Sequence, residues 1–329
     1  MEILGLGIAT VALFAGFGLL IGILFGFFGM GGSFLVTPAL LVLGYPAKTA
    51  VGSGLAFVFG TSVIGTLGHR RHGQIDYTLA ALMTLGMTLG VGIGTRVVLL
   101  LEGLGSADFV VGVAYVVLLG AVGLFVLRDA RTDDTHAGPT GIVAEIRSIE
   151  LPPTVSLSGG ATVSVWIVLA VGLGIGVLSG CLGVGGGFLL LPAMIYGFGV
   201  PTGVAAGTSI LQIAVSGAFG TFVYALSDGV AVPVVAALLA GSALGARIGT
   251  GATRLVEEAD VKEYFAVVLL AGSVATAGKR VGHAYDVETL EAASALLVFG
   301  AAVLVSGAIV RASITTSGRN RERRSLRIR

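Results

Sequence analysis

The sequence predicts an all-α polytopic membrane protein built from two inverted repeats, each with a short Gly/Pro-interrupted segment, with roughly 8 to 11 membrane segments in all. Three observations lead there. Of the 329 residues, 55% are hydrophobic and 11% charged, where soluble domains carry about a quarter charged, and the mean hydropathy is +1.00. The charges are segregated, with none from Ile3 to Ala47, from Thr49 to Gly68 or from Leu151 to Ser227, and an apolar run of about 18 residues or more marks a membrane-spanning helix. Two of these runs carry matching glycine clusters, GFFGMGGSFLVTPAL at 26–40 and GCLGVGGGFLLLPAM at 180–194.

The first segment, 4–25, follows Glu2 instead of a basic stretch. It is longer than the roughly 7 to 15 apolar residues of a signal peptide, so it reads as a span. Polar punctuation bounds further segments at 29–45, 49–68, 77–101 and 108–127, and then at 162–181, 184–199, 203–226, 230–251, 263–278 and 289–310. The two that hold the glycine clusters, 29–45 and 184–199, are short and either span or are re-entrant. Residues 128–161 form a polar linker between a first repeat at 1–127 and a second at 162–311, the latter with an extra C-terminal span. The basic tail at 312–329 is too polar to insert and is expected to be disordered and cytoplasmic. With all segments counted as spanning, HRRH at 69–72, Arg128, Arg131, Arg254 and Lys262 share the tail's side, and only Lys48, Lys279 and Arg280 fall outside. That satisfies the positive-inside rule for a multi-pass cell-membrane protein.

The duplication is visible in register. At a shift of 154 residues Gly26, Gly29, Gly31, Gly32, Phe34, Leu35, Pro38 and Ala39 recur as Gly180, Gly183, Gly185, Gly186, Phe188, Leu189, Pro192 and Ala193. At a shift of 155, AVGSGL at 50–55 meets AAGTSI at 205–210, and GVGIGT at 90–95 meets GARIGT at 245–250. Five spans in the first repeat start the second from the opposite face, which makes the copies inverted. Secondary transporters commonly have this plan, with interrupted helices in corresponding positions at the binding site.

Glycine weakens a helix, and unwound backbone within lipid leaves its polar groups without water, so such a segment persists only inside protein or beside a polar cavity. The expected binding groups are the backbones of Gly29, Gly31, Gly32 and Ser33 and of Gly183, Gly185, Gly186 and Gly187. Each cluster precedes a new helix start, where free N–H groups and the helix dipole favour an anion. Two inverted copies are expected to aim these ends at one midplane point, with Pro38 and Pro192 as helix breaks. The alternative is that the glycines only let helices pack closely. Ser53, Thr208 and Ser209 are hydroxyl candidates whose alternative is bonding to their own helix. Gln212, one turn after Thr208, either binds substrate or bridges helices, and Arg247 is a gating or ligand candidate that could instead reach the interface. Arg96 has a similar placement. The lone Cys181 excludes an internal disulfide and any multi-cysteine metal site, and it reads as a small hydrophobe. His69 and His72 read as loop residues with no metal partners.

The pair GMGGSFLVTP and GVGGGFLLLP, each followed by an AxGTS-like segment, resembles the sulfite exporter TauE/SafE family of membrane permeases over nearly the whole chain. The resemblance implies transport of small sulfur-containing anions such as sulfite, thiosulfate or organosulfonates, without a cofactor and with no nucleic-acid partner. Ser33 and Gly54 depart from the pattern where the second repeat has Gly187 and Ser209, so the second repeat is expected to supply more contacts. The alternatives are an anion channel, or a permease for another small oxyanion or a carboxylate. An enzyme is disfavoured, since GMGGS lacks the Lys-Ser/Thr of a P-loop and no HExxH or GxSxG occurs.

Overall fold

The structure, a computed structural model, describes residues 2–3, 6–28, 32–70, 75–131, 152–157, 162–252 and 258–326. The helices are α1 (Ile8–Phe28), α2 (Val36–Val42) after a 3₁₀ turn at Gly32–Leu35, α3 (Ala47–Arg70), α4 (Tyr77–Gly103) and α5 (Ala107–Arg131). They continue with α6 (Val165–Leu182), α7 (Gly187–Pro192) running into a π-helix at Ala193–Gly197, α8 (Thr202–Ala225), α9 (Val232–Ala252), α10 (Glu258–Ala284) and α11 (Glu288–Leu326). Among the described residues sheet is confined to two small hairpins, Glu2–Ile3 with Leu6–Gly7 and Thr154–Ser156 with Thr162–Ser164. Among the described residues eight helices are long and apolar enough to cross a membrane, namely α1, α4, α5, α6, α8, α9, α10 and α11. The fold is thus that of an all-α polytopic membrane protein. The chain expected to be disordered after residue 311 instead continues α11 to Leu326, which its Arg and Glu content, good helix-forming residues, allows.

The chain forms two compact units, and each takes helices from both sequence repeats. The first comprises residues 1–44, 112–132 and 236–329. Within it, α1 and α9 run parallel at very short range, because both present glycine every fourth residue. A Cβ added at Gly18, Gly22 or Gly26 would lie 2.1, 2.4 and 2.4 Å from the carbonyl oxygens of Leu238, Ser242 and Ala246. Reciprocally, Gly241, Gly245 and Gly249 would meet the carbonyls of Ala15, Leu19 and Ile23 at 1.9, 2.0 and 2.1 Å. Only glycine permits this approach, which replaces side-chain packing by dispersion and Cα–H···O contact between backbones. The short α2 packs on α10, with Phe34 edge-on to Phe265 at 5.3 Å.

The second unit comprises residues 45–111 and 133–235. Here α4 and α6 repeat the same device in corresponding positions. Gly86, Gly90 and Gly94 face the carbonyls of Leu169, Leu173 and Val177, and Gly172, Gly176 and Gly180 face those of Met83, Met87 and Val91, with a Cβ at any of the six 2.2–2.7 Å from the oxygen. The N-terminus of α3 is tied down by the Ala47 N–H, which donates to Asp108 Oδ1 at 2.6 Å. α3 and α8 pack antiparallel, whereas α4 and α8 run parallel, as Asp76 meets Thr208 and Val91 meets Gly220.

Since α6 and α8 are both parallel to α4, residues 183–201 must carry the chain back from the end of α6 to the start of α8. The helical part of that return, Gly187–Gly197, is about 16 Å long, roughly half the hydrocarbon thickness. The corresponding Gly32–Val42 in the first repeat has the same length. Neither glycine-bearing segment is therefore a full-length spanning helix. Each closes with a left-handed glycine, Gly44 at φ +87° and Gly199 at φ +71°.

Candidate functional site

The break in the second unit follows from glycine's access to left-handed backbone. Gly183 ends α6 at φ +74°, its N–H donating to the Ser179 carbonyl at 2.7 Å. Gly185 and Gly186 follow at φ +65° and +76°, a conformation that costs other residues about 1–2 kcal/mol. Residues Gly183 to Gly187 are all buried. Leu189 and Leu190 donate to the Gly186 carbonyl at 2.9 Å and start α7, but the N–H groups of Gly185 and Gly186 donate to no group among the described residues. Buried N–H groups without a partner are rare.

The walls around this break are apolar and close. A Cβ at Gly185 would lie 2.5 Å from Val58 Cγ1 on α3 and 3.2 Å from Ile213 Cγ2 on α8, and one at Gly186 would lie 2.7 Å from Ile175 Cγ2 on α6. Val58 and Ile213 are themselves a corresponding pair, 155 residues apart, and Gly185 sits between α3 and α8. The backbone there is as near to the helices as it can come, and any side chain would fill the space.

Ser53, Thr208, Ser209 and Gln212 are all buried. Thr208 Oγ1 accepts the Asp76 N–H at 3.0 Å, and Ser53 Oγ accepts the Ala231 N–H at 2.9 Å. These bonds correspond across the repeat, Ser53 to Thr208 and Asp76 to Ala231, and each hydroxyl makes no other hydrogen bond among the described residues. Each therefore keeps its own O–H for a ligand. Ser209 donates instead to the Ala206 carbonyl at 2.9 Å. Gln212 bridges helices, its Nε2 reaching the Leu79 carbonyl at 3.4 Å while Oε1 is buried without a partner among the described residues.

Thr208 and Gln212 are brought together at the start of α4. Ser53 is not with them, because it lies five residues before Val58 on a helix antiparallel to α8, while Thr208 lies five before Ile213. Gly52, Leu55 and Phe59 lie against Tyr224, Gly220 and Gly217, so the two hydroxyls are about 22 Å apart along the helix axes, beyond the reach of one small oxyanion. Arg247 and Arg96 are exposed. Pro38 is buried in α2, and Pro192 is the exposed last residue of α7, where the helix widens to π. Gly29 and Gly31 lie outside the described residues, and Gly32 and Ser33 form the 3₁₀ turn before α2.

Three features escape a reading of motifs. Asp76 caps α4, its Oδ1 accepting from the Thr78 and Leu79 N–H groups at 3.1 and 3.0 Å, and an acidic residue just before an apolar helix was the available signal. Thr95 Oγ1 and Ser179 Oγ, on the glycine-faced helices, are buried without partners among the described residues. The glycine ladders themselves were visible as spacing, although nothing in the spacing names the partner helix.

A family model for the sulfite exporter TauE/SafE matches residues 14–276. The chain belongs to this family. Among its relatives, a "Probable membrane transporter protein" of Xylella fastidiosa (strain 9a5c) is 30% identical over 71% of this chain and 82% of its own length. Bacillus subtilis (strain 168) has two more. The "Probable membrane transporter protein YunE" is 26% identical over 77% of this chain and 92% of its own length, and the "Probable membrane transporter protein YjnA" is 25% identical over 70% and 88%. No solved structure matches. Together with the eight apolar helices, membership of the TauE/SafE family makes the chain a multi-pass membrane transporter and not an enzyme.

Proposed function

We propose that the protein is a secondary transporter, acting as an exporter of small sulfur-containing anions such as sulfite, thiosulfate or organosulfonates, by alternating access. The observation that carries the reading is the pair of buried N–H groups of Gly185 and Gly186, unpartnered among the described residues, at the head of a broken helix. Donors of this kind hold an anion without a buried cation, which would bind too tightly for release. The Thr208 hydroxyl adds an O–H on the approach from the start of α8, and Ser53 adds one on the opposite approach. Gly29, Gly31, Gly32 and Ser33 are the corresponding donors of the first repeat. The C-terminus is cytoplasmic by the distribution of basic residues. An anion leaving a negative interior gains about 2.3 kcal/mol per charge per 100 mV, so the membrane potential alone can drive export.

Counterflow in proteoliposomes tests this. Vesicles preloaded with unlabelled sulfite should take up labelled sulfite saturably without ATP, with thiosulfate and organosulfonates competing. Gly186→Val should abolish the flux at normal expression, whereas Gly174→Ala, where a Cβ meets nothing within 4 Å, should retain it. Flux preserved in Gly186→Val would place binding elsewhere, and unitary conductance without saturation would favour a channel.

A further inference from the structure

Thr61, Ser216, Thr276 and Ser294 are buried or part-buried hydroxyls that each donate to the carbonyl four residues earlier, at 2.7–3.1 Å, a frequent fate of Ser and Thr in an apolar helix. Thr95, Ser179 and Ser242 instead are buried with no hydrogen bond among the described residues. The glycine ladders account for Thr95 and Ser242. The carbonyl that Thr95 would bond, that of Val91, is pressed against Gly180, 2.5 Å from where a Cβ would be, and the one for Ser242, that of Leu238, is pressed against Gly18 at 2.1 Å. Ser179 meets no such obstacle. The Ile175 carbonyl is not a rung of the ladder, and 3.9 Å separates its oxygen from where the Cβ of Gly186 would be.

Ser179 also stands over the glycine break. The Gly183 N–H donates to the Ser179 carbonyl at 2.7 Å, and the place of a Gly186 Cβ is 2.7 Å from Ile175 Cγ2. Ile175 and Ser179 are one turn apart on the same face of α6, about 6 Å along its axis, so residues 183–186 run back along that face from Ser179 to Ile175. The Cα–Cβ bond of a helical residue leans toward the helix N-terminus, which carries the Ser179 hydroxyl toward Ile175 and so toward the break. Its O–H joins the N–H groups of Gly185 and Gly186 as a third donor without a partner among the described residues, closed off from water, where a hydrogen bond is strongest. Building on the reading of the break as the anion site, we propose that Ser179 is a specificity-determining residue, its O–H holding the third oxygen of an –SO3 group whose other two oxygens meet the Gly185 and Gly186 N–H groups. A carboxylate has only two oxygens and leaves one of the three donors unpaired, so Ser179 favours a sulfonate over a carboxylate of similar size.

The test is binding of ethanesulfonate and of propionate to the purified full-length protein, read from the rise in melting temperature with ligand concentration. Wild type should bind ethanesulfonate more tightly. Ser179→Ala should weaken ethanesulfonate about tenfold, the loss of one hydrogen bond to a charged group, and leave propionate nearly unchanged. Without ligand this variant should melt at or above the wild-type temperature, because a buried hydroxyl with no partner costs stability, whereas removing a structural hydrogen bond would lower it. Ser216→Ala, which removes a hydroxyl already bonded to the Gln212 carbonyl at 2.8 Å, should leave both affinities as in wild type. Equal affinity of wild type for the two anions, unchanged ethanesulfonate binding in Ser179→Ala, or an equal loss for both anions would overturn the role of Ser179, and a loss of binding in Gly186→Val alongside any of these would leave the break as the site. If Gly186→Val binds ethanesulfonate as wild type does, or wild type binds neither anion, the break is not the site and both readings fall.

Discussion

The Thr208 hydroxyl accepts the backbone N–H of Asp76 at 3.0 Å, across 132 positions of sequence, and so fastens the second turn of α8 to the cap of α4. Ser53 does the same for Ala231. The hydroxyl proposed to bind the anion is thus also a structural clamp in each repeat.

Thr208→Ala should cost both. The buried Asp76 N–H would lose its partner, a penalty of about 1–3 kcal/mol, and the anion would lose an O–H donor. We expect a lower melting temperature together with a raised apparent KM in counterflow. Thr208→Ser should restore both, since it keeps the oxygen. A variant that melts lower with unchanged KM would leave Thr208 a clamp only.

The glycine ladders rank their own substitutions. Gly241→Ala and Gly245→Ala, which bring a methyl to 1.9 and 2.0 Å of a carbonyl oxygen, should destabilise more than Gly172→Ala at 2.7 Å. Gly174→Ala, two residues along α6 and free of neighbours, should be neutral or stabilising by less than about 1 kcal/mol. Melting temperatures of these four variants in one detergent give the order.

Steric and electronic roles separate at Gly185. Gly185→Ala meets Val58 at 2.5 Å in a left-handed backbone, so it should be unstable and inactive. Adding Val58→Ala removes the clash but not the backbone strain of about 1–2 kcal/mol. The double variant should regain part of the stability and little flux, because the methyl still crowds the Gly185 and Gly186 N–H groups. Full recovery of flux would argue against main-chain recognition.

Asp76→Ala should cost about 1 kcal/mol by uncapping α4, with Asp76→Asn recovering most of it. Chemical denaturation of the purified protein reads the difference.

Much of this was legible in the residues. Hydropathy located the long helices because lipid demands about 20 apolar residues in succession, and Phe34-Leu35 against Phe188-Leu189 revealed the duplication. The break at Gly183 to Gly187 was legible because no other residue sits comfortably at φ +65° and +76° in succession. Pairing was not legible. Helices that are apolar all round carry no amphipathic stripe to say which face turns inward, so α1 gives no hint that it lies on α9, nor α6 that it lies on α4. The separation of Ser53 from Thr208 was hidden for the same reason, since it depends on α3 and α8 being antiparallel.

The return of the chain between the parallel helices α6 and α8 bears on how the polypeptide is made. The translocon releases segments into lipid as they emerge from the ribosome, one hydrophobic span at a time, and a stretch of about 16 Å is too short for it to recognise as one. Residues 183–201 therefore reach their place only after α8 has been synthesised and has docked beside α4, so this part of the molecule matures after synthesis has passed it.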